Sequence, residues 1–216
     1  MDVRSLLLTA AVAFASLTAA RDSHAQAPPE GRGAEVEGMT SAGGFVARLP
    51  GAAPMRALDV GAGLWLGYRL SPRWSIGAFG DYQRLSCAPA AACDGGNHAA
   101  ISAGLAARWR PLRDTSVIPW ASVGVAFGVV AFRAAWAGVS SESFSGVSTP
   151  VTVGVDAPLA RGFSLTLQAS ARLWMVVRVC SSPSGGTVCG AHDPASPGGV
   201  NASWSLGVGA RYTFGR

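Results

Sequence analysis

From residue 57 onward the chain alternates apolar with small or polar residues at a period of two, the repeat of an extended strand and not that of a helix. Over 57–70 the even positions are Leu58, Val60, Ala62, Leu64, Leu66, Tyr68 and Leu70, while the odd ones include Asp59, Gly61, Gly63, Gly67 and Arg69. After the turn-forming Ser71-Pro72-Arg73, Trp74, Ile76, Ala78 and Tyr82 stand opposite Ser75, Gly77, Asp81 and Gln83. The same pattern returns over 99–110, 122–131, 151–157, 163–179 and 200–214, so seven strands are predicted. Closing such a sheet with both chain ends on one side needs an eighth. The remaining segment, 34–46, is assigned to it, although Gly38, Gly43 and Gly44 lower its strand propensity.

These strands exceed the usual globular length of about 5 to 6 residues and fit a tilted bilayer span of about 9 to 11. Short connections at 71–73, 111–116 and 158–162 alternate with long Gly-, Pro- and Ser-rich ones at 48–55, 86–96, 134–146 and 181–198. Short turns at one end and long loops at the other are the pattern of an outer-membrane barrel. The face opposite the apolar one decides between lipid and water. It is mostly Gly, Ser, Ala and Thr with isolated charges, which suits a narrow barrel interior and not the Lys- and Glu-rich surface of a soluble sandwich. A closed sheet also satisfies its backbone polar groups without water. The apolar run 117–132 contains Pro119, Gly124 and Gly128 and is too short for a spanning helix. The predicted fold is all-β: a closed antiparallel up-and-down transmembrane β-barrel of eight strands.

Composition agrees, with 49% hydrophobic and only 13% charged residues, 28 glycines and a mean hydropathy of +0.30. The formal charge of +5 is the balance of 17 basic residues, every one of them Arg, against 12 acidic ones. They are scattered singly, so no nucleic-acid partner is predicted. Residues 1–25 read as a signal peptide, with small residues in Ser23-His24-Ala25 and cleavage before Gln26. Residues 26–33 read as a flexible periplasmic tail and 34–216 as the barrel. Export places Cys87, Cys93, Cys180 and Cys189 in an oxidising space. Two local staples, Cys87 with Cys93 and Cys180 with Cys189, are the simplest of the three pairings, and a cross-loop arrangement is the alternative. Together with His98 and His192 these spacings fit none of the usual zinc patterns, so no metal or cofactor is predicted.

Tyr68, Trp74, Trp109, Phe163, Tyr212 and Phe214 all fall on the apolar face near the short-turn end, the expected place of an interfacial aromatic belt. Trp204, Tyr82 and Trp136 lie towards the other boundary. The inward face carries Asp59, Arg69, Asp81, Arg108, Arg110, Asp156, Arg172, Arg178 and Arg211, together with Gln83 and Gln168. Paired charges there would plug the barrel. Because arginines outnumber acids in this set, either some face the mouths or a narrow anion-preferring path exists.

On this pattern the chain resembles the eight-stranded outer-membrane barrels of the OmpA, OmpX and OmpW type over residues 34–214. Its closing Leu206-Gly-Val-Gly-Ala-Arg-Tyr212-Thr-Phe214 is similar to the C-terminal assembly signal of that class, with Gly215 and Arg216 following the usual terminal aromatic. The resemblance implies outer-membrane lipid as surroundings and the barrel assembly machinery as a partner of the last strand. The expected role is non-enzymatic: an envelope component, or a scaffold presenting its outward loops to a surface ligand. A narrow channel is the alternative. A lipid A-modifying enzyme is the second alternative, with His98, Ser102, His192 and Asp193 as the residues to inspect.

Overall fold

A computed structural model describes residues 32–47, 55–88, 98–112, 115–132, 139–160, 162–183, 186–193, 195 and 199–214. These residues form nine strands: β1 (Gly33–Ala47), β2 (Met55–Arg69), β3 (Trp74–Ala88), β4 (His98–Trp109), β5 (Ile118–Phe132), β6 (Val139–Ala160), β7 (Phe163–Pro183), β8 (Val188–Ala191) and β9 (Val200–Phe214). Every strand from β1 to β7 pairs antiparallel with the next, β7 pairs with β9, and β9 pairs back to β1. Eight long strands therefore form a closed ring, and β8 is a short hairpin strand appended to β7.

Closure runs through β1, the segment with the weakest strand composition. Its register against β9 extends from Ala34 opposite Phe214 to Val46 opposite Ala202. A glycine-rich strand gains little from its own side chains, and here neighbours supply the cover. Gly44 faces Trp204 across the seam, and a Cβ on Gly44 would stand 2.8 Å from the indole Nε1. Inside the barrel Trp120 lies in the same way over Gly154, and Trp174 over Gly128, at 2.5 and 2.6 Å from where a Cβ would be. Such aromatic cover restores to a bare stretch of backbone the packing it lacks.

The distribution of side chains inverts that of a water-soluble protein. Leu58 is 68% exposed and Leu105 65%, whereas Glu37 and Asp156 are fully buried. Charged residues are almost never buried without partners, and an apolar surface of this extent calls for an apolar solvent.

Two features depart from the sequence expectation. First, β6 and β7 run on through parts of the segments expected to be loops, so that Ser143 to Ser145 pair with Cys180 to Arg178 of β7 on one side and with Ala131 to Val129 of β5 on the other. Second, β7 carries a bulge at this level: Ser145 pairs with Arg178 but Gly146 with Val176, leaving Val177 extra. One extra residue reverses the facing of everything beyond it. Arg178, expected in the lumen, is therefore exposed, and Val179, expected outside, packs on the interior apolar cluster.

Candidate functional site in the barrel lumen

Period-two alternation sends one residue in two inward from each strand, and the inward set is stacked in layers. Nearest the short turns is a charged layer. Glu35 Oε1 accepts from Arg69 Nε at 3.0 Å and Nη2 at 2.8 Å, and also from Arg110 Nη2 at 3.0 Å. Glu37 Oε2 accepts from Arg108 Nη1 at 2.7 Å. Asp156 accepts from Trp120 Nε1 at 3.1 Å, from Thr166 Oγ1 at 2.9 Å and from Arg211. The Arg108 guanidinium is sandwiched between Trp65, at 4.7 Å from the ring centroid, and Trp120, at 4.0 Å. Ion pairs this deep are kept only where partners and hydrogen bonds offset the loss of water; each of these acids has an arginine partner, although Glu37 Oε1 and the Nε atoms of Arg108, Arg110 and Arg211 accept or donate no hydrogen bond among the described residues.

Above this layer lies a cavity of about 80 Å³, lined by Met39, Trp65, Arg108, Trp120, Gln168 and Arg172 among others. A second polar layer covers it. Arg172 donates from Nη1 and Nη2 to Asp81 at 3.1 and 2.8 Å and to Ser102 Oγ at 2.6 Å, and Ser102 donates to Asp81 Oδ2 at 2.6 Å. Asp59 and Gln83 belong to the same half of the lumen.

The loop-side end is closed by an apolar cluster that includes Phe45, Leu85, Val130, Phe132, Phe144 and Trp174. Ring centroids of Phe45 and Trp174 are 6.2 Å apart and those of Phe132 and Phe144 are 6.0 Å apart, both edge to face. Such contacts add to the area buried. His98 stacks on Phe132 at 5.8 Å in this cap.

No family model and no curated protein matches the chain. Solved structures do. A major outer membrane protein from Thermus thermophilus is 14% identical with a TM-score of 0.57, covering 84% of this chain and 99% of its own. OprG of Pseudomonas aeruginosa is 15% identical with a TM-score of 0.56, covering 88% and 99%. Neisserial surface protein A is 15% identical with a TM-score of 0.53, covering 86% and 100%. The fold is that of the eight-stranded outer-membrane barrels. At these identities the likeness extends to architecture alone.

Within this outer-membrane barrel fold, Arg69, Arg108, Arg110, Asp156 and Arg211 meet in the lower charged layer, Asp81 and Arg172 pair in the upper one, and Asp59 is buried beside it. Arg178 stands apart from both, for the reason given above. Sequence reasoning missed Glu35 and Glu37. Their spacing of two residues on a strand was the available signal, masked by the glycines of that segment. With them the inward set has six acids (Glu35, Glu37, Asp59, Asp81, Glu142, Asp156) and five arginines (Arg69, Arg108, Arg110, Arg172, Arg211) among the described residues. The arginine excess expected from the sequence is absent from this set.

Tyr68, Trp74, Trp109, Tyr212 and Phe214 are exposed on the outer wall at the short-turn end, with Phe163 half-buried beside Tyr212. Trp74 and Trp109 face one another at 6.4 Å and Tyr212 meets Phe214 edge to face at 4.6 Å. At the opposite end Cys180 and Cys189 sit directly across the β7–β8 hairpin and form a disulfide. The expected partner of Cys87, Cys93, and the outer-boundary Trp136 lie outside the described residues. Of the residues flagged for catalysis, Ser102 is committed to Asp81 and Arg172, His98 stacks in the cap, and His192 and Asp193 follow β8 on the loop side.

Proposed function

We propose that the chain is an integral outer-membrane protein whose lumen is closed to ion flow and whose loop-side end is its working surface, as an envelope component or a scaffold for a surface ligand. The layers of paired side chains inside the ring are the observation that supports this reading. Glu35 is gripped by Arg69 and Arg110, Asp156 by Arg211, Trp120 and Thr166, and an aromatic cap stands above them. Passing an ion would mean separating buried pairs, at a cost of several kcal/mol each. The exposed apolar wall and its aromatic girdle support a lipid setting. Export through residues 1–25, and assembly through a last strand ending at Phe214, belong to the same proposal. So does a lipid-facing role without enzymatic turnover.

Planar-bilayer recording of the refolded protein tests the plug. The expected trace shows no steady conductance, and stable nanosiemens steps would replace this reading with the channel. Protease treatment of intact cells, combined with gel mobility before and after heating, tests the setting. Cleavage confined to the loops with a heat-modifiable band is expected, and full degradation in intact cells would contradict it.

A further inference from the structure

We infer that the loop-side half of the lumen holds a monovalent hard cation, sodium in the simplest case, between Asp59 and Gln83. Asp59 is 3% exposed, and neither of its carboxylate oxygens accepts a hydrogen bond among the described residues. Gln83 is 7% exposed and its Oε1 is equally without a donor. These two side chains are neighbours by construction. Asp59 lies opposite Leu85 and Gln83 opposite Gly61, so they are diagonal positions on the inner face of the β2–β3 pair.

Nearby donors are already engaged. Arg172 spends Nη1 and Nη2 on Asp81 and Ser102, and Ser102 spends its hydroxyl on Asp81. In this half of the lumen Asp81 is thus paired with Arg172, Asp59 has no arginine of its own among the described residues, Glu142 is half-buried at the loop-side end and His98 lies further up against Phe132. A buried carboxylate without a counter-charge is too costly to persist, so something neutralises it. The unpartnered atoms of Asp59 and Gln83 are all oxygens, the ligand set of a hard cation, and the single charge of Asp59 matches a monovalent one.

Space lies beside the pair. Gly61 stands between Gln83 and Ser41, and a Cβ on it would come within 3.0 Å of Gln83 Cγ and 3.3 Å of Ser41 Oγ. Ser41 and Asp81 also line the 80 Å³ cavity, which is large enough for the waters that would complete a coordination shell.

The test uses the full chain refolded in detergent at pH 8, with heat-dependent gel mobility as the readout. Midpoints are compared in sodium chloride and in N-methylglucamine chloride of equal ionic strength. Sodium is expected to raise the wild-type midpoint by several degrees with a saturable dose dependence. Asp59→Asn should lose that dependence while still forming the barrel. Gln83→Leu, which keeps the carboxylate, should shift the dose dependence to at least tenfold higher sodium. Equal midpoints in the two salts would overturn the inference. So would a wild-type midpoint that ignores sodium but rises on acidification from pH 8 to pH 5, because a proton would then be the occupant.

Discussion

Glu37 on β1 and Arg108 on β4, 71 residues apart in the chain, meet across the lumen at 2.7 Å with both side chains buried. The contact ties together strands that share no backbone hydrogen bonds, so it tells where the wall must curve as well as where charge is balanced. Removing one partner strands the other. Glu37→Leu is expected to destabilise the barrel by about 3–5 kcal/mol in urea titrations followed by tryptophan fluorescence. The double replacement Glu37→Leu with Arg108→Met should cost less than Glu37→Leu alone, and a strictly additive cycle would show that the pair is not coupled.

The cap is held by packing, so its response to truncation differs from that of the charged layer. Trp174→Ala removes a side chain that touches Phe45 and donates to Ser203 Oγ. A loss of about 3–5 kcal/mol is expected from the same titrations. Salt should alter this loss little, since Phe45 and Ser203 are uncharged and Arg172, 5.3 Å from the ring centroid, keeps its pairing with Asp81. A salt-dependent effect would move the cause to the neighbouring Arg172.

Closure of the ring makes a sharp distinction between two glycines of β1. A Cβ on Gly43 would lie 2.0 Å from the carbonyl oxygen of Trp204, whereas one on Gly38 would meet nothing within 4 Å. Gly43→Val is expected to abolish the heat-modifiable band by prising β1 from β9, and Gly38→Ala to leave it intact. Equal behaviour of the two would contradict the β1–β9 register.

The disulfide belongs to the hairpin and not to the ring. Replacing Cys180 and Cys189 by Ser should leave heat-modifiable mobility and the urea midpoint unchanged within about 0.5 kcal/mol. Proteolysis between β7 and β8 should quicken several-fold. An unfolded barrel in the double variant would mean that the hairpin nucleates assembly.

How far the sequence carries one towards this fold depends on which solvent each residue answers to. Leu58, Leu105 and Leu167 face outward in strict alternation because lipid demands nothing but apolar surface, and that demand is written in every second position. Glu35 and Glu37 were legible only as members of a glycine-weakened strand whose cover, Trp204, comes from the far end of the chain. The interior layering was hidden for a related reason: Trp65, Trp120 and Trp174 gain meaning only from the glycines or guanidinium groups opposite them on other strands. Arg178 could not be read correctly from alternation at all, because a bulge changes the parity without leaving a compositional trace.

That bulge also works as a waterline. Below it β7 shows Leu167, Leu173 and Met175 to the outside, and immediately above it the same wall turns a guanidinium outward. An arginine on the outer surface is costly to hold in the hydrocarbon, so the level of Val177 bounds how deeply the barrel rides on its loop side, as the girdle of Trp74, Trp109 and Tyr212 bounds it on the other. Deleting Val177 would turn Arg178 inward and Val179 out, heighten the apolar wall on this side, and make the molecule float at a different depth.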